Sequence, residues 1–183
     1  MRYRRLYTDG AVYFFTLATY KRQKILLDSS NIQLLKKSIT IVKSKHPFVI
    51  EAIVILPEHL HCLLTLPDKD HDFSTRLRLI KTEFSRKCDT RNQSLFKIEQ
   101  SRRLKKEKHI WQRRFWEHQI RNEKDFSSHM DYIHYNPVKH GLAHSPKDWR
   151  HSSFINCVNK GFYDIDWGAT ITDNYFDKIN NVE

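Results

Sequence analysis

From Phe48 to Leu66 the chain is almost continuously apolar, and the main interruption is Pro57-Glu58 in its middle. Pro57 has no backbone N–H to donate and cannot sit inside a central strand, so a single element cannot run through it. Two strands, Phe48 to Leu56 and His59 to Leu66, joined by a tight turn fit the pattern. Successive side chains of a strand point to opposite faces, so His59 and His61 project from one face while Leu60, Cys62 and Leu64 point to the other. One face of this strand reads as core, and the other carries two imidazoles side by side.

The remaining elements follow from the same periodicities. Ala11 to Tyr20 is aromatic and β-branched, is preceded by Asp9-Gly10 and is followed by a basic turn, which predicts a strand. From Asn31 to Lys45 the apolar residues Ile32, Leu35, Ile39 and Val42 keep helical spacing, and Asp28, Ser29 and Ser30 offer caps. Phe73, Leu77, Ile80 and Phe84 predict a second helix, with Arg76, Arg78, Lys81, Arg86 and Lys87 facing outward. Residues from about 89 to 110 have no clean period and read as a long basic loop, although Leu95 to Leu104 could form a turn of helix. Gln112 to Arg121 predicts a fourth strand. A third helix starts at the cap Asn122, carries Glu123 and Asp125 where the helix dipole favours acids, buries Phe126, Met130 and Ile133, and is expected to end before Pro137. The order strand, helix, strand, strand, helix, strand, helix is that of an α+β fold, a ferredoxin-like split βαβ layer with an antiparallel sheet of four to five strands. Residues 1–144 form that domain and 145–183 a C-terminal extension. Such a scaffold by itself implies no function.

Charge narrows the partner. The net charge of this 183-residue chain is +11, and between Lys97 and Arg114 eight Lys or Arg face only Glu99 and Glu107. A polyanion is implied, and nucleic acid is favoured over a membrane surface because Trp111, Phe115 and Trp116 adjoin the charges without forming an amphipathic face. The candidate nucleic-acid contacts are Arg102, Arg103, Lys105, Lys106, Arg113, Arg114, Trp116 and Lys139. Core packing competes with base stacking as the role of Phe115 and Trp116. No stretch approaches about 18 consecutive apolar residues and the N-terminus is not a secretory signal, so a soluble cytoplasmic protein is expected. The three cysteines, Cys62, Cys88 and Cys157, have no Cys-x-x-Cys spacing, which argues against a disulfide framework and a structural zinc site.

Two constellations could carry chemistry. Imidazole nitrogens bind divalent ions well, and His59 and His61 on one strand face are preorganised for it, yet a lone His-x-His is weak in a chain with 11 histidines. On the third helix, Tyr132 and Asn136 are four residues apart and share a face, with His129 one turn earlier. A phenol with a reference pKa of about 10 is a poor nucleophile unless a metal or a cationic groove assists it. Without that assistance Tyr132 reads as a half-buried helix aromatic and Asn136 as a stop before Pro137.

Three segments together carry a resemblance: Leu56-Pro57-Glu58-His59-Leu60-His61-Cys62, Trp111-Gln112-Arg113-Arg114-Phe115-Trp116-Glu117-His118, and Asp131-Tyr132-Ile133-His134-Tyr135-Asn136-Pro137-Val138-Lys139-His140-Gly141. In this order, over almost the whole chain, they resemble the REP-associated tyrosine transposases, relatives of the IS200/IS605 single-tyrosine transposases in the His-hydrophobe-His nuclease superfamily. The resemblance implies a metal-dependent endonuclease and strand transferase that acts on single-stranded DNA at the hairpins of repetitive extragenic palindromes. It implies His59, His61 and Asn136 as ligands of Mg²⁺ or Mn²⁺, Tyr132 as the nucleophile that takes the 5′ end, and a monomer. Tyr135, three residues on, competes as nucleophile, but Tyr132 holds the motif position. The run from Asn92 to His109 looks like an insertion. Trp149 to Ser153 and Gly161 to Trp167 resemble the family's C-terminal region, which suggests a tail over the DNA or the site. A non-catalytic nucleic-acid-binding module and a metal phosphodiesterase that uses water are the rival readings.

Overall fold

The structure is a computed structural model that describes residues 8–89, 100–104 and 108–169; the side chain of Arg103 is outside that description. Among the described residues the strands and α-helices are, in order, β1 (Val12–Ala18), α1 (Ser29–Lys45), β2 (Val49–Ile55), β3 (His59–Thr65), α2 (Phe73–Lys87), α3 (Gln100–Leu104), β4 (Trp116–Gln119), α4 (Glu123–Lys139) and α5 (Phe154–Asn159). The sheet order is β2-β3-β1-β4 with every neighbouring pair antiparallel, which is the split βαβ layer read from the sequence.

Alternation along the strands builds two layers. Tyr13, Phe15 and Leu17 of β1 and Leu60, Cys62 and Leu64 of β3 pack against Ile32, Leu35 and Val42 of α1 and Phe73, Leu77, Ile80 and Phe84 of α2. On the opposite face Phe14, Ala52, Val54 and Leu63 pack under Met130, Tyr132 and Ile133 of α4 and Cys157 of α5. The histidine face of β3 is therefore a second core, not an open surface.

Some local features depart from the sequence reading and others match it. Arg76 turns inward instead of facing out: its guanidinium forks onto Asp70 at 3.1 and 2.6 Å and donates to the Pro47 carbonyl, which ties α2 to the loop before β2. The fourth strand is short, four residues from Trp116, and an isolated bridge from Thr19 to Trp111 precedes it. The helical turn allowed within the basic loop is α3, while Lys105 and Lys106 lie outside the described residues. Asn122 caps α4 by accepting from the Asp125 amide at 2.9 Å.

α4 does not stop before Pro137. It continues to Lys139, because a proline in the last turn forfeits one hydrogen bond without ending the helix, and the stop comes at Gly141. Gly141 takes a φ of 65°, its amide donates to the Val138 carbonyl, and the Leu142 amide donates to that of Pro137. This is the left-handed glycine termination that satisfies the last carbonyls of a helix.

The segment after α4 braces the exposed edge of the sheet. Ile55 donates to the His151 carbonyl, Ser153 donates back to that of Ile53, and the Trp149 indole donates to the Ile55 carbonyl at 3.0 Å. Behind this brace His134 Nε2 lies 2.9 Å from Ser153 Oγ in a fully buried position. Burial pushes the His134 imidazole down from 6.5 to about 4. Between those values the unfolded chain binds a proton that the folded chain excludes. Stability from this group is thus constant above about pH 6.5 and is lost as the pH falls towards 4. In urea titrations at pH 7 and 4.5, His134→Gln should lose about 2 kcal/mol less stability between the two conditions than the parent protein.

Candidate active site

Two elements meet over the second core. β3 supplies His59 and His61, and the pairing with β1 sets Ala18 and Thr16 opposite them. His61 Nδ1 lies 2.9 Å from Thr16 Oγ1, and His59 Nδ1 lies 3.0 Å from a carboxylate oxygen of Glu58. If both Nδ1 atoms carry the proton in these bonds, Nε2 is the lone-pair nitrogen of each ring. The two ring centroids are 4.8 Å apart.

α4 lays one strip of side chains over this pair. The Tyr132 ring is 5.2 Å from that of His61, and the His140 ring is 5.6 Å from that of His59. Residues 132, 136 and 140 recur every four positions along one helical face, so Asn136 falls between those two contacts. Asn136 is fully buried, and both atoms of its amide lack a hydrogen-bond partner. An unsatisfied buried amide costs on the order of 1–3 kcal/mol, which a fold keeps only where something else compensates.

Burial pushes the His59 imidazole down to about 4, against the opposing pull of the Glu58 carboxylate. Burial also holds His61 well below its ordinary value, and neighbouring His59 adds to the effect. Both rings are neutral at pH 7, the form in which imidazole ligates a metal. Two neutral imidazoles and an orphaned amide oxygen fit a divalent cation as a donor set.

A cavity of about 300 Å³ opens beside the strip, walled by Arg22, Glu58, His59, Tyr132, Lys139 and His140. Lys139 Nζ stands 5.0 Å from the Tyr132 ring centre. Arg22 is a wall residue that sequence reasoning missed. It and Lys21 both adopt a φ of 53°, a region that costs a non-glycine residue on the order of 1–3 kcal/mol and is concentrated at functional sites. Only the basic turn after the first strand hinted at it.

Other candidates are placed differently. His129 does not join the pair: its Nδ1 is 3.1 Å from Asp125, whose other oxygen is 2.9 Å from His118 Nε2. His118, Asp125 and His129 bring their ligand-type atoms within 4.8 Å of one another, and as hydrogen-bonded partners they clasp β4 to the first turn of α4. Tyr135 faces away from His61, its ring 6.5 Å from that of Trp167. Arg102 is buried, with its guanidinium 4.2 Å over the Tyr20 ring and Nη1 donating to the Trp111 carbonyl. Arg113 and Arg114 are exposed, and Trp116 is half-buried against Phe14. Arg103 lies on α3.

A tyrosine helix laid across a His-x-His strand on a split βαβ sheet is the arrangement of a single-tyrosine transposase. The family pattern described as transposase IS200 like matches residues 8–136. A REP-associated tyrosine transposase of Escherichia coli (strain K12) is 44% identical over 171 residues, which cover 93% of each chain. A Haemophilus influenzae (strain Rd) relative of the same kind is 42% identical over 91% of this chain and 93% of its own. The solved structure of a REP-associated tyrosine transposase bound to a REP hairpin superposes with a TM-score of 0.76, at 44% identity and over 94% of both chains. The chain belongs to the IS200-like transposases, and within them it groups with the REP-associated tyrosine transposases. This family is generally metal-dependent. No helix among the described residues is long and apolar enough to cross a membrane.

Asn136→Leu removes the orphaned amide and should leave the melting temperature of the metal-free protein unchanged or higher. Scanning fluorimetry with chelator and then with Mn²⁺ checks this: the ion should raise the melting temperature of the parent protein and not that of the variant. A lower melting temperature in chelator would assign the amide a purely structural role.

Proposed function

We propose that the chain cleaves and rejoins single-stranded DNA beside hairpins of repetitive extragenic palindromes, with Tyr132 as nucleophile. The observation that carries this reading is the strip Tyr132, Asn136, His140 lying across His59 and His61 beside a cationic cavity. The hairpin-bound relative at 44% identity supports the substrate.

Arg22 and Lys139 draw a backbone phosphate into the cavity and hold it against the Tyr132 side chain. The phenol oxygen then attacks phosphorus. The new bond joins Tyr132 to the 5′ end, the bond from phosphorus to the 3′ oxygen breaks, the phenol proton is given up, and the departing 3′ oxygen gains one. Attack by a 3′-hydroxyl on the phosphotyrosine reverses the step, so rejoining consumes no nucleotide cofactor. His59, His61 and Asn136 would hold a divalent ion, Mg²⁺ or Mn²⁺, which when bound supplies Lewis-acid stabilisation of the phosphoryl oxygens. Neutral imidazoles at pH 7 keep the ligand nitrogens unprotonated for it.

A monomer is the working unit of this reading. Residues 1–144 act as the catalytic domain, and the extension from residue 145 serves as its brace through Trp149 and Ser153. A DNA substrate assigns the protein to the cytoplasm.

The test is a denaturing gel of labelled single-stranded hairpin DNA with Mg²⁺ or Mn²⁺. The parent protein and Tyr135→Phe should cleave and leave a protease-sensitive adduct. Tyr132→Phe should lose cleavage by roughly three orders of magnitude or more, as expected for a nucleophile. Equal cleavage by Tyr132→Phe would assign the attack to water or to another residue, and binding without cleavage by any form would leave a DNA-binding module.

A further inference from the structure

Phe14 stands where the two halves of the active site meet. Its ring is buried under α4, stacked on His61 with centroids 5.4 Å apart and edge-on to Tyr132 at 5.9 Å. His61 belongs to β3 and Tyr132 to α4, so the place of the phenol relative to the histidine pair depends on how two separate elements dock. The three rings touch one another, the His61 and Tyr132 centroids being 5.2 Å apart. In a close-packed layer a turn of the Phe14 ring displaces its neighbours.

Two further rings touch Phe14. Trp116 meets it edge-on at 5.6 Å and is half-buried on the short strand β4. His129 meets it at 4.9 Å, is buried, and is hydrogen-bonded in place by Asp125. One carboxylate oxygen of Asp125 lies 3.1 Å from His129 Nδ1, and the Asp125 backbone carbonyl lies 2.8 Å from the same nitrogen. A carbonyl only accepts, so Nδ1 carries the proton. Burial pulls the His129 imidazole below its ordinary value, which leaves that proton the only one on the ring at pH 7. The other carboxylate oxygen accepts from the Arg121 amide at 3.0 Å and pairs with His118 Nε2 at 2.9 Å. His118 lies opposite Phe14 in the pairing of β1 with β4, and its ring stacks on His129, the planes 13° apart.

This stacking decides what the trio does. An imidazole ligates along a lone pair in its own ring plane, and two stacked planes so nearly parallel do not meet at bonding distance from both nitrogens. The cluster is therefore a clasp and not a shared metal site. Space filling alone does not call for His129 either: its Nε2 is buried with no hydrogen-bond partner among the described residues, where phenylalanine would leave no orphaned nitrogen. What the imidazole adds is the Nδ1 bond, which fixes the plane of the ring and so the surface on which Phe14 rests. Neither Asp125 nor His129 lines the cavity beside Tyr132.

We propose that Asp125 and His129 are positioning residues for the attack by Tyr132: they lock the Phe14 ring, and that ring sets where the phenol stands relative to His61. This rests on the proposed role of Tyr132 as nucleophile. It gives the carboxylate and the imidazole a part in the rate of attack and none in holding DNA.

Three variants separate the parts. His129→Phe keeps a ring and loses the Nδ1 bond, His129→Asn keeps a donor near the Nδ1 position and loses the ring, and Phe14→Leu removes the ring between the clasp and the site. Each is compared with the parent protein well below its melting temperature, using labelled single-stranded hairpin DNA. Single-turnover adduct formation is followed at saturating DNA with Mn²⁺, and hairpin affinity is measured by fluorescence anisotropy in chelator. All three variants should form the adduct roughly 10- to 100-fold more slowly, the scale of loss for a displacement of about 1 Å from a reactive geometry. Hairpin affinity should be unchanged. Adding His129→Phe to Phe14→Leu should bring no further loss, because both act through one contact. Adduct formation by His129→Phe at the parent rate, a matching fall in hairpin affinity, or losses that multiply in the double variant would each overturn the proposal. No adduct from the parent protein would remove the catalytic reading and this proposal together, whereas adduct from the parent and from His129→Phe at one rate removes this proposal alone.

Discussion

β3 is hydrogen-bonded on both sides, to β1 and to β2, and its alternate residues serve opposite layers. Leu60, Cys62 and Leu64 are held in the core under α1 and α2. That leaves His59 and His61 only the other face. A slip of one residue in the pairing would drive both imidazoles into the helical core and lift three apolar side chains out of it, a cost no local adjustment can absorb. The register that makes the fold stable is therefore also what aims the two imidazoles at α4. Thr16 enters by the same route, because the β1 pairing that sets it opposite His61 brings its hydroxyl to the imidazole.

The second layer tolerates polar groups that a plain core would reject. His59, His61 and Asn136 are all buried, and burial keeps both histidines neutral at the expense of their affinity for protons. Around them Phe14, Ala52, Val54, Leu63, Met130 and Ile133 supply continuous apolar contact. Packing thus fixes where α4 lies, and the polar strip is carried along. A site arranged in this way does not need its own hydrogen bonds to hold its shape, so an amide can wait without a partner.

Much of this was legible in the sequence because it depends on period alone. The two faces of β3, the core stripe of α2 and the cap at Asn122 need only spacing and residue type. What escaped depends on partners distant in sequence. Arg76 occupies a helix position that looks solvent-facing until Asp70 and the Pro47 carbonyl are seen to converge on it. His129 lies one turn before Tyr132, but Asp125 pairs with its ring and His118 of β4 stacks on it. Arg22 adopts a backbone conformation usually marked by glycine or asparagine, and neither is there to mark it. Pro137 reads as a stop because a proline breaks a helix interior, whereas the true stop lies at Gly141, whose left-handed φ closes the last carbonyls.

The choice between Tyr132 and Tyr135 shows how the extension after α4 acts on the site. A three-residue step rotates a side chain by about 300° around the helix, which leaves the two rings some 60° apart and spacing alone undecided. Contacts decide it. Tyr132 meets His61 on the sheet side, while Tyr135 meets Trp167 on the other. Tyr163 reinforces that outer side by donating to Asp131 at 2.8 Å and by packing on His134. α4 is consequently held between the sheet and the returning chain, and its rotation is set from both sides. Residues that do not line the cavity thereby determine which phenol faces the histidines.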